Sequence, residues 1–87
     1  MPHLLLHHKV QNFDTWKITY DEHATARKAA GFTELHLMRA LSDRNDVVIL
    51  FHLEDLAKAR VFAGSDDLKR TMQRSGVIGN VELLELD

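Results

Sequence analysis

Two hydrophobic periodicities alternate along the chain, and their order constrains the fold more than any other feature of the sequence. Four segments show the alternation or the short apolar runs of β-strands: residues 3–10, 33–41, 47–53 and 81–86. Three segments repeat apolar side chains at the spacing of helices: residues 14–30, 54–63 and 66–75. Asp14 is a suitable N-cap for the first helix, and Gly31 stands where that helix should stop. The predicted order is β-α-β-β-α-α-β.

This order implies a four-stranded antiparallel sheet with all helices on one face. The turn-forming run at residues 42–46 would join the second and third strands as a hairpin. The other sheet face would lack cover, and a chain of 87 residues without cysteine has neither a large core nor disulfides to compensate. We therefore expect one α+β domain over residues 1–87 that pairs as a homodimer.

Charge and composition exclude several classes of partner. The net charge is −2, and the basic residues are scattered among acidic ones, so we expect no nucleic-acid partner. The apolar run Leu4-Leu5-Leu6 is far too short for a signal peptide or a membrane span. The absence of cysteine excludes thiolate metal sites and cysteine nucleophiles. These features predict a cytoplasmic protein without membrane contact.

The first candidate site is a stripe along the first helix. Trp16, Tyr20, His23 and Arg27 follow one another at spacings of four, three and four, which puts them on one helix face. The aromatic rings could stack a planar ligand, with His23 as a titratable group and Arg27 binding a phenolate or carboxylate. In the simpler interpretation Trp16 and Tyr20 are core residues, and His23 and Arg27 extend to the rim of the core.

A second candidate site joins His8 and His52. We expect the first and third strands to be parallel central neighbours, so that both histidines lie near the carboxyl ends of their strands and could be adjacent. Because histidine titrates near neutrality, either could act as a general base toward an acidic phenol or an activated methylene. Alternation alone does not decide whether both point to one face. Either could also be a hydrogen-bonded core residue.

Arg39 and the remaining histidines allow weaker hypotheses. Arg39 on the second strand could bind an anionic ligand or pair across the sheet with Glu82 or Glu85. The chain has six histidines, but no His-x-x-x-His or comparable helix motif occurs, and His7 and His8 project to opposite faces of a strand. We therefore expect no metal site.

Taken together, these segments resemble a known family. The similarity rests on residues spread over nearly the whole chain: His8-Lys9-Val10, Phe13-Asp14, Trp16, Tyr20, His23, Arg27, Gly31, Arg39, Asp55–Ala59 and Gly76–Gly79. At these positions the chain is similar to the dimeric α+β barrel superfamily. Within it, the chain particularly resembles the small proteins near the antibiotic biosynthesis monooxygenase group, which are also labelled cyclases or stress-responsive barrels. The resemblance implies a ferredoxin-like βαββαβ fold that forms a dimeric barrel.

The same resemblance implies cofactor-independent monooxygenase-like or polyketide-cyclase-like chemistry on a planar, oxygenated aromatic or polyketide-type compound. In such chemistry the base would be His8, His23 or His52. Trp16 and Tyr20 would stack on the ligand, and Arg27 or Arg39 would stabilise the oxyanion. The alternative is a non-catalytic dimeric module, structural or stress-related, whose interior is filled with side chains. A cavity of about 300 Å³ or more would favour the ligand-binding interpretation.

Overall fold

The strands and helices alternate as the sequence predicts, with one additional break. In a computed structural model that describes residues 1–87, the elements are β1 (His3–Val10), α1 (Phe13–Glu22), α2 (Ala24–Ala29), β2 (Phe32–Arg39), β3 (Asp46–Leu53), α3 (Leu56–Ala63), α4 (Asp66–Ser75) and β4 (Val77–Leu86). The strands form one antiparallel sheet in the order β2-β3-β1-β4. The predicted α+β, ferredoxin-like arrangement is confirmed. No helix is long and apolar enough to cross a membrane.

The two faces of the sheet differ in burial. Alternate residues of the central strands point toward the helices and are buried: Leu4, Leu6, His8 and Val10 of β1, with Val47, Ile49, Phe51 and Leu53 of β3. Trp16, Phe32 and Ala59 complete the core against this face. The intervening residues form the opposite face, which no helix covers. We call it the open face, and its members on the central strands are His3, Leu5, His7 and Lys9 of β1 and Asp46, Val48, Leu50 and His52 of β3.

The direction of β3 corrects one prediction. β1 and β3 are antiparallel, so that His3 lies opposite His52 and His8 lies opposite Val47. The reason is topological: the crossover makes β2 run parallel to β1, and the hairpin then reverses β3. The predicted adjacency of His8 and His52 was therefore wrong. The two histidines lie at opposite ends of the paired strands and on opposite faces of the sheet.

The first predicted helix is two helices, and its cap differs from the prediction. The Asn12 side chain, not Asp14, caps α1 by accepting a hydrogen bond from the Thr15 amide at 3.0 Å. The helix breaks at His23. There the Arg27 side chain donates to the Tyr20 carbonyl at 2.7 Å, occupying an acceptor that a continuous helix would offer to the amide of residue 24. A long-range side-chain contact that the periodicity does not encode thus accompanies the break.

Both outer strands carry irregularities. In β2 the pairing with β3 shifts between Glu34 and His36, so Leu35 is an extra residue. Glu34 therefore joins the helix-facing side with Leu37 and Arg39, against the predicted alternation. In β4 the strand begins at residue 77, not at 81, and its register with β1 shifts around Gly79, whose φ is +71°. Gly79 permits a bulge in a strand where the sequence predicted a loop.

Candidate functional site

A cavity of about 310 Å³ lies between the sheet and the helices. Its walls are mainly apolar, and they include Leu6, Ile49 and Phe51 from the sheet and Phe62, Leu68 and Met72 from the helices. The volume is at the lower end of the range for small-molecule sites, roughly 300–1,000 Å³. The interior is therefore not completely filled by side chains, and it has room for a compact apolar ligand.

The structure brings the four residues of the helix stripe to this cavity. Trp16, Tyr20, His23 and Arg27 all line it. Trp16 is only 3% exposed, and its ring stacks on that of Tyr20 with centroids 4.8 Å apart. The two rings stack on each other because the four-residue spacing puts them on successive turns of one helix.

His8 supplies the polar group deepest in the cavity wall. Its side chain enters from β1, is 3% exposed, and meets the edge of Trp16 with ring centroids 5.4 Å apart. Its Nδ1 atom is buried and has no hydrogen-bond partner. Burial lowers the pKa of His8 below the usual value for histidine, so the ring is neutral at neutral pH. A neutral imidazole in a cavity wall can bond to a ligand or, at an unprotonated nitrogen, accept a proton.

Tyr20 and Arg27 are bound to one another. The Arg27 guanidinium carbon lies 3.6 Å from the centroid of the Tyr20 ring, and its Nη1 donates to the Tyr20 carbonyl. The Tyr20 hydroxyl donates to Glu34 at 2.7 Å. Burial, followed by this bond, raises the pKa of Tyr20 well above its usual value, so the phenol stays protonated. Burial lowers the pKa of Arg27, which nevertheless remains charged. Arg27 can bind an anion only by giving up contacts that it already makes.

His23 bridges the two helical layers beside the cavity. It occupies the junction of α1 and α2, and its ring stacks on Phe62 of α3 with centroids 5.7 Å apart. Its Nε2 atom lies 3.4 Å from a carboxylate oxygen of Asp67 on α4, which is at the long end of hydrogen-bond distances. The contact ties the α1–α2 pair to the start of α4.

Two of the predicted site residues lie outside the cavity. His52 is on the open face, where its ring meets that of His3 edge to face, with centroids 5.5 Å apart. The Arg39 guanidinium lies 3.8 Å from the centroid of the Phe13 ring, and its Nε donates to the Arg44 carbonyl at 2.8 Å.

The predicted cross-sheet pairing of Arg39 was also wrong. Glu85 accepts two hydrogen bonds of 2.9 Å from Arg60, and Glu82 lies 3.5 Å from His7. Arg39 is on β2, at the opposite edge of the sheet from the β4 glutamates, so a pair between them would have to span two strands.

The helix α4 was predicted, but its polar contribution to the cavity wall was not. Thr71 and Ser75 line the cavity and are almost fully buried. Their hydroxyls donate to the carbonyls of Asp67 and Met72, each at 2.9 Å, which leaves their oxygen lone pairs able to accept a hydrogen bond from a ligand. The signal was present in the sequence, because residues 71 and 75 are one turn apart and flank the inward-facing Met72. Elsewhere, no group of three or more potential ligands is arranged to hold a metal ion.

Comparison with known proteins identifies the fold class. No protein-family model matches the sequence, and no curated protein is similar to it. Solved structures match over nearly the whole chain.

One is a candidate antibiotic biosynthesis monooxygenase from Bordetella bronchiseptica, with a TM-score of 0.77 and 12% identity, covering 99% of this chain and 94% of that one. A second, from Caulobacter crescentus, has a TM-score of 0.75 and 17% identity, with 99% and 87% covered. A third is an N63A mutant of SnoaB, a cofactor-independent oxygenase from Streptomyces nogalater, with a TM-score of 0.73 and 13% identity, covering 99% and 90%. The chain thus has the ferredoxin-like fold of antibiotic biosynthesis monooxygenase-like proteins.

Proposed function

We propose that the cavity binds a compact, planar, oxygenated aromatic or polyketide-type compound, and that the protein is a cofactor-independent monooxygenase- or cyclase-like enzyme. The observation that carries the proposal is the buried His8 imidazole in the mainly apolar cavity wall, whose Nδ1 has no hydrogen-bond partner. An unpaired buried polar atom costs roughly 1–3 kcal/mol, so a protein that retains one commonly uses it. The fold shared with SnoaB supports the same reaction class.

The cavity favours an uncharged ligand. Its one arginine, Arg27, is already engaged by Tyr20, and its other cation, Lys69, is exposed to solvent. A carboxylate held against the mainly apolar walls would therefore lose hydration with little compensation. The side of Trp16 that Tyr20 does not cover could orient a flat ring system, because the faces of the Tyr20 ring are already occupied by Trp16 and Arg27. A ligand hydroxyl could donate to Thr71 or Ser75, whose oxygens line the wall. The cavity of about 310 Å³ also weighs against a module whose interior is filled with side chains.

In the proposed reaction His8 acts first, as a general base. The neutral imidazole removes a proton from a phenolic hydroxyl or from a methylene activated by neighbouring carbonyl and aryl groups. The imidazolium that forms is paired with the delocalised anion, which offsets the cost of charge in an apolar site. Dioxygen is then the oxidant. The methylene becomes a carbonyl with one oxygen atom, and the other oxygen leaves as water with the two methylene hydrogens.

We also propose that the open face pairs with a second copy of the chain. Leu50, Leu5 and Leu84 lie side by side across β3, β1 and β4. Four strands about 4.8 Å apart and about eight residues long give the face a plan area of roughly 500 Å². Two copies would bury roughly 1,000 Å², which exceeds the area of most crystal contacts, about 800 Å².

The test of the catalytic proposal combines ligand binding with turnover. Thermal shift against uncharged phenols, hydroquinones and anthrone-like ketones should reveal stabilisation, about 2.7 kcal/mol at 100 times the dissociation constant. Oxygen uptake with the stabilising compounds should then fall at least 100-fold in His8→Gln, in line with the loss of a general base.

The matched control is His36→Gln, which alters an exposed histidine on the open face. Circular dichroism of both variants would verify that they are folded. Unchanged turnover in His8→Gln removes His8 from the mechanism. Stabilisation by carboxylates but not by neutral phenols would overturn the proposed ligand class.

A further inference from the structure

The histidines of this chain are unevenly distributed over the sheet. Four of the six lie on the open face: His3, His7, His36 and His52. The other two, His8 and His23, line the cavity. The surface proposed to meet a second copy therefore carries most of the groups that titrate near neutral pH.

His3 and His52 form a pair without a compensating charge. They lie directly opposite each other on β1 and β3, with ring centroids 5.5 Å apart, and neither forms a hydrogen bond with another side chain. Their neighbours in the same row are uncharged, namely Thr33 on β2 and Leu86 on β4. Protonation of both rings would put two cations side by side next to the apolar row of leucines.

The other charged groups around the pair do not neutralise it. The row toward the centre of the face brings a third histidine, His36, opposite Leu50. Beyond the strand ends, the Met1 amino group and the Asp87 carboxylate form an ion pair with each other at 3.7 Å. Acidification thus adds positive charge to this end of the face without an available acid.

His7, at the other end of the face, is compensated. Its Nε2 lies 2.6 Å from Asp46 and its Nδ1 lies 3.5 Å from Glu82, while Lys9 lies 3.4 Å from Asp43. The hydrogen bond to Asp46 raises the pKa of His7, so this ring holds its proton to higher pH than an ordinary histidine. A protonated His7 between two carboxylates is compatible with burial in an interface, whereas a protonated His3–His52 pair is not.

We propose that association of two copies through the open face is linked to protons by the His3–His52 pair, so that the dimer forms at neutral pH and separates on acidification. The inference rests on the proposed open-face dimer. Apolar contact favours the neutral rings, and proton binding to the partly buried rings of the free monomer competes with association.

The expected size follows from the number of rings involved, because the contact holds two rings of each copy neutral, four in the dimer. Each proton that binds to a free copy and is excluded from the dimer weakens association by up to about tenfold per pH unit. Residual hydration of the rings reduces this effect. We expect the dissociation constant to rise at least about 100-fold between about pH 7.5 and about pH 5.5.

Sedimentation velocity over a concentration series at both pH values tests the proposal, with EDTA present so that no metal bridges the rings. The wild type should dimerise more weakly at the lower pH, whereas His3→Gln/His52→Gln should lose most of this dependence, because only His36 and the carboxylate-paired His7 remain on the open face. His23→Gln, on the cavity side, should retain the wild-type dependence. Tryptophan fluorescence would verify folding at each pH. If the double variant is unfolded, His3→Gln and His52→Gln are measured separately in its place.

The outcomes separate the two proposals. A dimer with one dissociation constant at both pH values overturns the proton linkage alone, as does a double variant that keeps the wild-type dependence. A wild type that stays monomeric at neutral pH overturns the open-face dimer itself. Leu50→Lys addresses the surface directly, because a folded variant that still dimerises would mean that the copies meet elsewhere. None of these results bears on ligand binding in the cavity, which thermal shift measures independently.

Discussion

His7 and His8 are adjacent in the sequence and lie on opposite faces of the sheet. On the helix side, burial in an apolar wall lowers the pKa of His8 and leaves its Nδ1 unpaired. On the open side, Asp46 raises the pKa of His7 and holds its ring. Two adjacent histidines therefore have different properties: His8 is a neutral group suited to proton transfer, and His7 is a cation suited to an ion pair. The difference arises from the surroundings of each ring, since strand alternation sends the two side chains in opposite directions.

The contrast between the two faces predicts the largest effect on stability for core residues of β3. Ile49→Ala removes a side chain that is 1% exposed and should lower the free energy of unfolding by about 2–5 kcal/mol. Leu50→Ala, its neighbour on the open face, should cost less than about 1.5 kcal/mol at concentrations where the protein is monomeric. Urea denaturation measures both. Equal losses would mean that the open face is covered within one chain.

His8→Leu tests whether the unpaired imidazole is kept for function. Replacing a buried group that lacks a partner by an apolar one of similar size should leave the free energy of unfolding unchanged or raise it by about 1 kcal/mol, while turnover is lost. Stability is compared by urea denaturation and activity by oxygen uptake. A loss of about 2 kcal/mol or more would indicate that His8 makes a stabilising hydrogen bond, for instance to a buried water. Stability gained together with lost activity is the pattern expected of a site residue.

The smallest effects concern the dependence of stability on pH, and they have opposite signs on the two faces. Because the folded pKa of His8 is lowered, its contribution is fully present above about pH 6.5 and declines as the pH falls toward the folded pKa. Because the folded pKa of His7 is raised, its contribution is present below about pH 6.5 and is lost as the pH rises through the folded pKa. The His7 side chain is 37% exposed, so solvent screening limits its effect to about 0.5 kcal/mol or less.

Chemical denaturation of dilute, monomeric protein from about pH 5 to 8 measures these two effects. His8→Leu should flatten the acid side of the profile, and His7→Gln should flatten the alkaline side. The same flattening in both variants would contradict the assignment of opposite environments to the two rings.

Much of the fold could be predicted because it follows from local patterns. Strand alternation puts Leu4, Leu6, His8 and Val10 on one side of β1, and these residues are buried together. The spacing on the first helix also identified the stripe that reaches the cavity. In both cases the periodicity of a single element decides which side chains face the interior.

The remaining features depend on contacts between elements. The break at His23 accompanies the bond between Arg27 and the Tyr20 carbonyl, and Arg39 is held against Phe13 from the first helix. The unpaired state of His8 depends on how the helices pack over it. The direction of β3 is different, because the crossover and the hairpin together determine it. The predicted order of elements was sufficient to determine this direction, and the prediction that the two central strands are parallel was inconsistent with that order.

The irregular outer strands also affect how copies of the chain can assemble. The central pairing of β1 with β3 has no register shift, whereas β2 bulges at Leu35 and β4 bulges around Gly79. A bulge twists a strand and disrupts the row of amides and carbonyls that another chain would need to extend the sheet. Strand-by-strand growth into ribbons or fibrils is thereby opposed at both borders of the sheet. The proposed face-to-face contact would end at two copies, because each copy has one open face.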